Sequence, residues 1–444
     1  MFDKFIEKSK QIFSNREIVL KIIITFAFLL VFKAGTYIPI PLIDTTSIKA
    51  TIAGQNEFLA ILNAFSGGGL SNFSILALGI SPYITSSIVV QMLQLVIPKL
   101  KEWGEQGENG KEKINRVTRY VTIVIALLQA LLIIFSLGAK PENVLINSVI
   151  QYNNIYWLFF VYMAIVITAG SAFTMWLADL ITRYGVGNGS SMIISAGIIS
   201  SIPTMFITLS NKYLGANFTG WNLFFFILII VLYVAMILGV VYFEGATRKI
   251  PIKYANRQTA QGVQDANIPI KLNSASVIPV IFASTIMSIP LTIIGVLGQK
   301  ASDNSVAYWF DQVFSTSKPI GATVYVIFII FFSYFYSFMQ VDPDKISENL
   351  EKQGAFIPGY RPGVETKNQI SKTLFRVTTI GAIYLAVLAL VPIIVSLSFG
   401  FSSSESSAIT IGGTSLIIIV GVAIETFRQI ETASETKDYK GFME

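Results

Sequence analysis

No cysteine and no histidine occur anywhere in these 444 residues. Their joint absence removes disulfides, thiolate metal sites, imidazole acid–base catalysis and histidine proton relays together. Charge is scarce as well: Asp, Glu, Lys and Arg make up 13% of the chain against 53% hydrophobic residues, and the mean hydropathy is +0.64. An ordinary soluble domain carries about a quarter charged residues, so composition excludes one. The net charge of +6 belongs to connecting loops, where anionic lipid, ribosomal RNA or an acidic protein surface are all suitable partners. The opening MFDKFIEKSKQIFSNREIV is charged and has no small-residue cleavage site before a turn. It reads as an uncleaved amphipathic start and not as a signal peptide.

What the chain has in abundance is long apolar runs. Ten are visible, at about 17–38, 74–97, 119–138, 155–178, 190–209, 221–243, 276–297, 322–340, 373–398 and 408–427. Each approaches the roughly 20 residues that cross roughly 30 Å of hydrocarbon. Of the 32 Lys and Arg, 26 fall on one set of connections and six (Lys33, Lys49, Lys140, Lys212, Lys300 and Lys318) on the other. The positive-inside bias therefore puts both termini and the large loops in the cytoplasm, as an even number of spans requires.

Three departures from plain spanning helices mark where function should be sought. The cytoplasmic loops 244–275 and 341–372 each run to about 30 residues, far above the usual median of about 4 to 6. Pro251, Pro269, Pro343, Pro358 and Pro362 argue against long uninterrupted helices in them. The segment 57–73, EFLAILNAFSGGGLSNF, has an apolar run too short to cross, ending before Gly67, Gly68 and Gly69. Such a run is re-entrant or lies on the surface, and re-entrant backbone implies a cavity in the protein. In ISPYITSSIVVQMLQ, Ile80, Ile84, Ser87 and Gln91 share one helix face, and Ile281, Ser284, Thr285 and Ser288 of the seventh stretch behave alike. A half-polar face serves either a wall that meets water or close helix packing through small hydroxyls.

Nucleotide motifs fail on inspection. RYGVGNGSS at 183–191 follows a membrane span instead of a strand, and GEQGENGKE at 104–112 has the wrong spacing, with Glu112 where a hydroxyl should bind magnesium. An ion-coupled transporter would keep ionisable groups at mid-membrane, whereas Lys33, Asp179, Glu244, Asp342 and Glu425 lie near span ends. A membrane-embedded protease would lack its nucleophile, base or metal ligands.

Six ordered motifs carry a resemblance: GTYIPIP (35–41), AFSGGGLSNFSILALGISPYITSSIVVQML (64–93), RYGVGNGSSMIISAG (183–197), VIPVIFAST (277–285), GAFIPGYRPG (354–363) and GGTSLIIIVGVAIET (412–426). In these, from about residue 16 to 430, the chain resembles the SecY family, the channel subunits of the bacterial Sec protein translocase. The resemblance implies an all-α polytopic membrane protein of ten transmembrane helices in two pseudo-symmetric halves of five, 1–210 and 211–444. It implies a pore ring of Ile80, Ile84, Ile194, Ile281 and Ile418, apolar side chains that offer water and ions no hydrogen bond yet can move aside. A re-entrant plug helix would comprise Phe58, Leu59, Ile61, Leu62, Phe65 and the hinge Gly67, Gly68 and Gly69.

A lateral gate would form between the second and seventh spans at Ser87, Gln91, Ser284 and Thr285, releasing apolar signal segments into membrane lipid. The resemblance also implies the small membrane subunits SecE and SecG as partners. Signal peptides and translocating polypeptides are the implied substrates. Arg248, Lys253, Arg257 and Arg361 would be the contacts for the SecA ATPase or the ribosome. It implies no catalytic residue, metal or cofactor. Full-length cytoplasmic loops favour a general channel over an accessory paralogue dedicated to a few glycoproteins.

Overall fold

The computed structural model of the chain describes residues 16–41, 62–136, 156–200, 202–214, 220–254, 266–296, 305–316, 318–399 and 403–440. Each of the ten apolar stretches coincides with a helix. They are α1 (Arg16–Gly35), α2 (Ser81–Val96), α4 (Glu108–Ser136), α5 (Tyr156–Tyr184), α6 (Gly189–Ile199), α8 (Gly220–Gly245), α9 (Ile278–Val296), α11 (Pro319–Gln340), α13 (Val364–Ser398) and α14 (Ser403–Lys440). Among the described residues seven helices are long and apolar enough to cross a membrane alone, or eight if the bent pair beginning with α2 is one span. The remaining two, α6 and α9, are shorter apolar helices. This pattern is consistent with ten spans.

The exposed faces explain why these helices need lipid. On α8 one face buries Ile229, Tyr233, Met236, Val240 and Glu244, while Phe224, Ile227, Val231, Val234, Leu238 and Val241 stay exposed. An apolar surface of that extent is a membrane-contact surface. By contrast α13 is enclosed, with 61% of its apolar window buried, and packs against α11 and α14 as an internal strut.

Proline sets two breaks. Ile97, held extended before Pro98, ends α2, and the chain turns by 101° into the short α3 (Pro98–Glu105), because the proline ring disfavours a helical residue before it. The fifth stretch is likewise divided, into α6, N-capped by the Asn188 side chain, and α7 (Ile202–Leu214). An outer helix α10 (Ser305–Phe314) joins α9 to α11.

The helical expectation is modified at one place, the two long cytoplasmic loops. β1 (Thr247–Tyr254) pairs antiparallel with β2 (Ala266–Lys271) and, at its far end, with β3 (Ala355–Phe356). Sheet order is β2-β1-β3. Alternation drives it: Ile250 and Ile252 point inward while Arg248, Pro251 and Lys253 are exposed. Their inner face packs with Ile270, with Leu350 of α12 (Pro343–Lys352), and with Ile370, Leu374 and Val377 of α13. The two loops thus share one small apolar core.

Candidate pore, plug and gate

Isoleucines from four helices converge. Ile80 is the N-cap residue of α2 and Ile84 lies in its first turns; Ile194, Ile281 and Ile418 come from α6, α9 and α14. All five are buried, at 1%, 7%, 5%, 6% and 3% exposure, within one contiguous hydrophobic cluster. Phe65 of the glycine-rich segment, 7% exposed, belongs to the same cluster. Branched aliphatic side chains packed this way leave a polar solute no partner.

The segment from 62 to 79 turns back instead of spanning. Of the expected plug residues, Phe58, Leu59 and Ile61 lie outside the described residues; Leu62, Phe65, Gly67, Gly68 and Gly69 lie within them. Residues 62–65 are helical, and the turn ends in a Schellman motif: Gly68 N–H donates to Asn63 O (2.8 Å) and Gly67 N–H to Ala64 O (3.1 Å). Gly67 takes φ +67°, a left-handed conformation that suits glycine, and its missing side chain lets it lie 3.1 Å, from an ideal Cβ position, off Gly197 Cα in α6. The glycines are thus fixed in a built turn. The exit is tied to the end of α1, with Ile40 N–H to Phe73 O (3.0 Å), Ile75 N–H to Ile38 O (3.1 Å) and Asn72 Nδ2 to Thr36 O (3.3 Å). Buried Phe73 adopts φ +44°, a conformation costing a non-glycine residue on the order of 1–3 kcal/mol.

Helices α2 and α9 meet, with α4 and α11 alongside α9. The polar residues expected at this seam turn their hydrogen bonds inward. Gln91 Nε2 donates to Ser87 Oγ (3.1 Å) one turn away, and Ser284 Oγ (2.9 Å) and Thr285 Oγ1 (2.8 Å) both donate to Ile281 O of their own helix. Gln91 Oε1 is buried and has no hydrogen-bond partner among the described residues.

In the two long loops the charged residues are presented outward. Arg248 and Lys253 extend from the exposed face of β1, and Arg361 is exposed at the tip of the IPGYRPG turn; Arg257 lies outside the described residues. Arg361 N–H donates to Glu365 Oε2 (3.0 Å), Thr366 Oγ1 donates to Arg361 O (2.9 Å), and Ser347 Oγ donates to Gly363 O (2.8 Å). These bonds brace the turn, and Arg361 and Tyr360 are both exposed on it.

Three residues make contacts that the sequence did not indicate. Glu244 is only 6% exposed and accepts from Asn273 Nδ2 (2.8 Å) and Ser276 Oγ (3.4 Å), while Arg428 of α14 donates to the Glu244 carbonyl. Lys33 reaches the glycine turn, as described below, and Gly197 gives that turn its flat wall. An acid at the end of an otherwise apolar span was the available signal for Glu244. No sequence signal distinguished Gly197 from packing glycines.

The fold is that of a polytopic membrane protein, a bundle of apolar helices with a glycine-rich turn packed into its central core. A family model for SecY matches residues 74–427. The protein translocase subunit SecY of Staphylococcus epidermidis is 42% identical, over 100% of this chain and 99% of that one. Among solved structures, a protein-conducting channel superposes with a TM-score of 0.62 and Sec61 of a canine ribosome–channel complex from the endoplasmic reticulum with 0.59. Each shares 19% identity over 94% of this chain and 93% of the other, a likeness that shows the fold. The chain belongs to the SecY family of protein translocase subunits, multi-pass proteins of the bacterial cytoplasmic membrane.

Proposed function

We infer that this chain conducts unfolded polypeptides through a pore sealed at rest by Ile80, Ile84, Ile194, Ile281 and Ile418, and releases apolar segments sideways between α2 and α9. The observation that carries this reading is the shared burial of those five isoleucines with Phe65 of the re-entrant turn. Residues 58–69 act as the plug, and the glycines that form a fixed turn at rest become the hinge when it leaves. The halves 1–210 and 211–444 move relative to one another, with both termini in the cytoplasm. The chain works without catalysing a reaction; energy enters through SecA or the ribosome, docked on Arg248, Lys253, Arg257 and Arg361, and SecE and SecG brace the bundle. A seam whose hydroxyls and amide are bonded within their own helices parts at little cost, since few cross-helix bonds need breaking.

The absence of native cysteine makes the test direct. A preprotein arrested in transit and carrying one cysteine should form disulfides with Ile84→Cys or Ile418→Cys and not with Leu238→Cys on the exposed face of α8. Equal cross-linking at all three positions would remove the central pore.

A further inference from the structure

We propose that Lys33 is the catch that holds the plug in place, its ammonium bridging the Gly67 carbonyl of the plug turn to Ser200 at the end of α6. The proposal rests on the plug reading given above. Lys33 Nζ donates to Gly67 O (2.8 Å) and to Ser200 Oγ (2.8 Å), and lies 5.0 Å from the centre of the Tyr37 ring. One half-buried cation therefore touches three separate parts of this end of the bundle: the turn that follows its own helix, the plug turn, and the C-cap residue of α6.

The chemistry of the acceptor favours this role. Gly67 follows the last helical turn of the plug, where unpaired carbonyls give a helix its negative end and a cation is best placed. Sterically the plug meets α6 glycine against glycine, Gly67 on Gly197, so that contact supplies fit but no side-chain grip. Grip comes from the charge-assisted bond, which is short and directional. Its donor is on α1, and the residues that follow α1, Thr36, Ile38 and Ile40, bind the plug's exit. The exit strap can persist as the turn swings away; the Lys33–Gly67 bond cannot. A lysine that merely extended its ammonium to the outer interface would instead have no bearing on plug release.

The test reads plug release and leak separately. In the otherwise cysteine-free chain, buried Ser66→Cys reports exposure of the turn through its rate of labelling by an impermeant maleimide added from outside. Lys33→Met should raise that rate and the resting ion conductance by about tenfold, the scale of one lost charge-assisted bond. Ser200→Ala should shift both less in the same direction, because the Gly67 bond survives, and Lys33→Arg should stay near wild type. Wild-type labelling in Lys33→Met, with the channel assembled, overturns the catch; so does a Ser200→Ala effect as large as that of Lys33→Met. Deletion of 58–66 in the same bilayers separates the two ideas. If it raises conductance while Lys33→Met does not, only the catch fails, and if it too leaves conductance unchanged, the plug reading falls with it.

Discussion

Two small bodies hang on the ends of the spans, and they are built by opposite means. Residues 62–79 are drawn into the bundle: Leu70 and Phe73 are fully buried, glycines bring backbone against backbone, and the bonds that tie the segment to residues 33–40 end on main-chain carbonyls. The three-stranded sheet and α12 keep a separate apolar core and turn Arg248, Lys253 and Arg361 toward solvent. A body that must fit a fixed hole has its shape specified by the backbone, whereas one that must meet a partner presents long charged side chains. Tyr and Arg together at the tip of the 357–363 turn match the composition of interface hot spots.

Reversing charge at the cytoplasmic tip should have the largest effect. Arg361→Glu should lower SecA-driven export roughly 30-fold or more, the scale of a hot-spot loss, with channel abundance and resting conductance unchanged. Wild-type rates at saturating SecA and ATP would transfer the role to Arg248, Lys253 and Arg257. In the first body, deleting residues 58–66 should let preproteins with defective signal sequences through, by roughly tenfold, as the closed state loses contacts and populations shift. Loss of the chain from the membrane would make the segment structural instead.

The proposed isoleucine seal shares its core with Phe65 of the first body and is tested on its own side chains. Replacing Ile84, Ile281 and Ile418 together by Ser should raise ion conductance in planar bilayers by roughly severalfold, and an unchanged resting conductance in the folded triple variant contradicts the assignment. A milder test of the outer fit is Gly197→Ala. A Cβ there would stand 2.8 Å from Phe65 O, so the plug must shift, at about 1–3 kcal/mol of overpacking. The resting leak should rise less than on deletion. Smallest of all, Gln91→Leu removes a buried carbonyl without a partner and should stabilise the closed seam by about 1–3 kcal/mol. Export of weakly hydrophobic signal sequences should then fall while strong ones pass normally; equal export of both would show that the seam does not discriminate.

Legibility in the sequence followed the strength of the physical signal. Each long apolar run coincides with a helix among the described residues, since hydrophobic length is a property of contiguous residues. Breaks inside runs were less visible: the 190–209 stretch hid the division between α6 and α7 near Pro203, and the bend at Pro98 lies at the end of a run. TRKIPIKY has the alternation of a strand, and the prolines were correctly read as excluding long helices. Its partners, residues 266–271 and 355–356, are brought there only by the fold. The five isoleucines are all buried in the large central cluster, a placement that apolar type alone favours, while Lys33, Gly197 and Glu244 depend on contacts 29 to 167 residues apart in the chain, which no local pattern encodes.

The junction below the sheet ties the sheet body directly to the start of α9. β2 ends at Lys271, Leu272 N–H is bonded to Ala246 O (2.9 Å), and Asn273 is clamped to Glu244 before the chain enters α9 at Ile278. Residues 272–280 separate the strand from Ile281, and among them Asn273 and Ser276 bond to the Glu244 side chain at the end of α8. So short and bonded a connection leaves little slack between the hairpin and the first turn of α9, and the Glu244–Asn273 and Leu272–Ala246 bonds share the load.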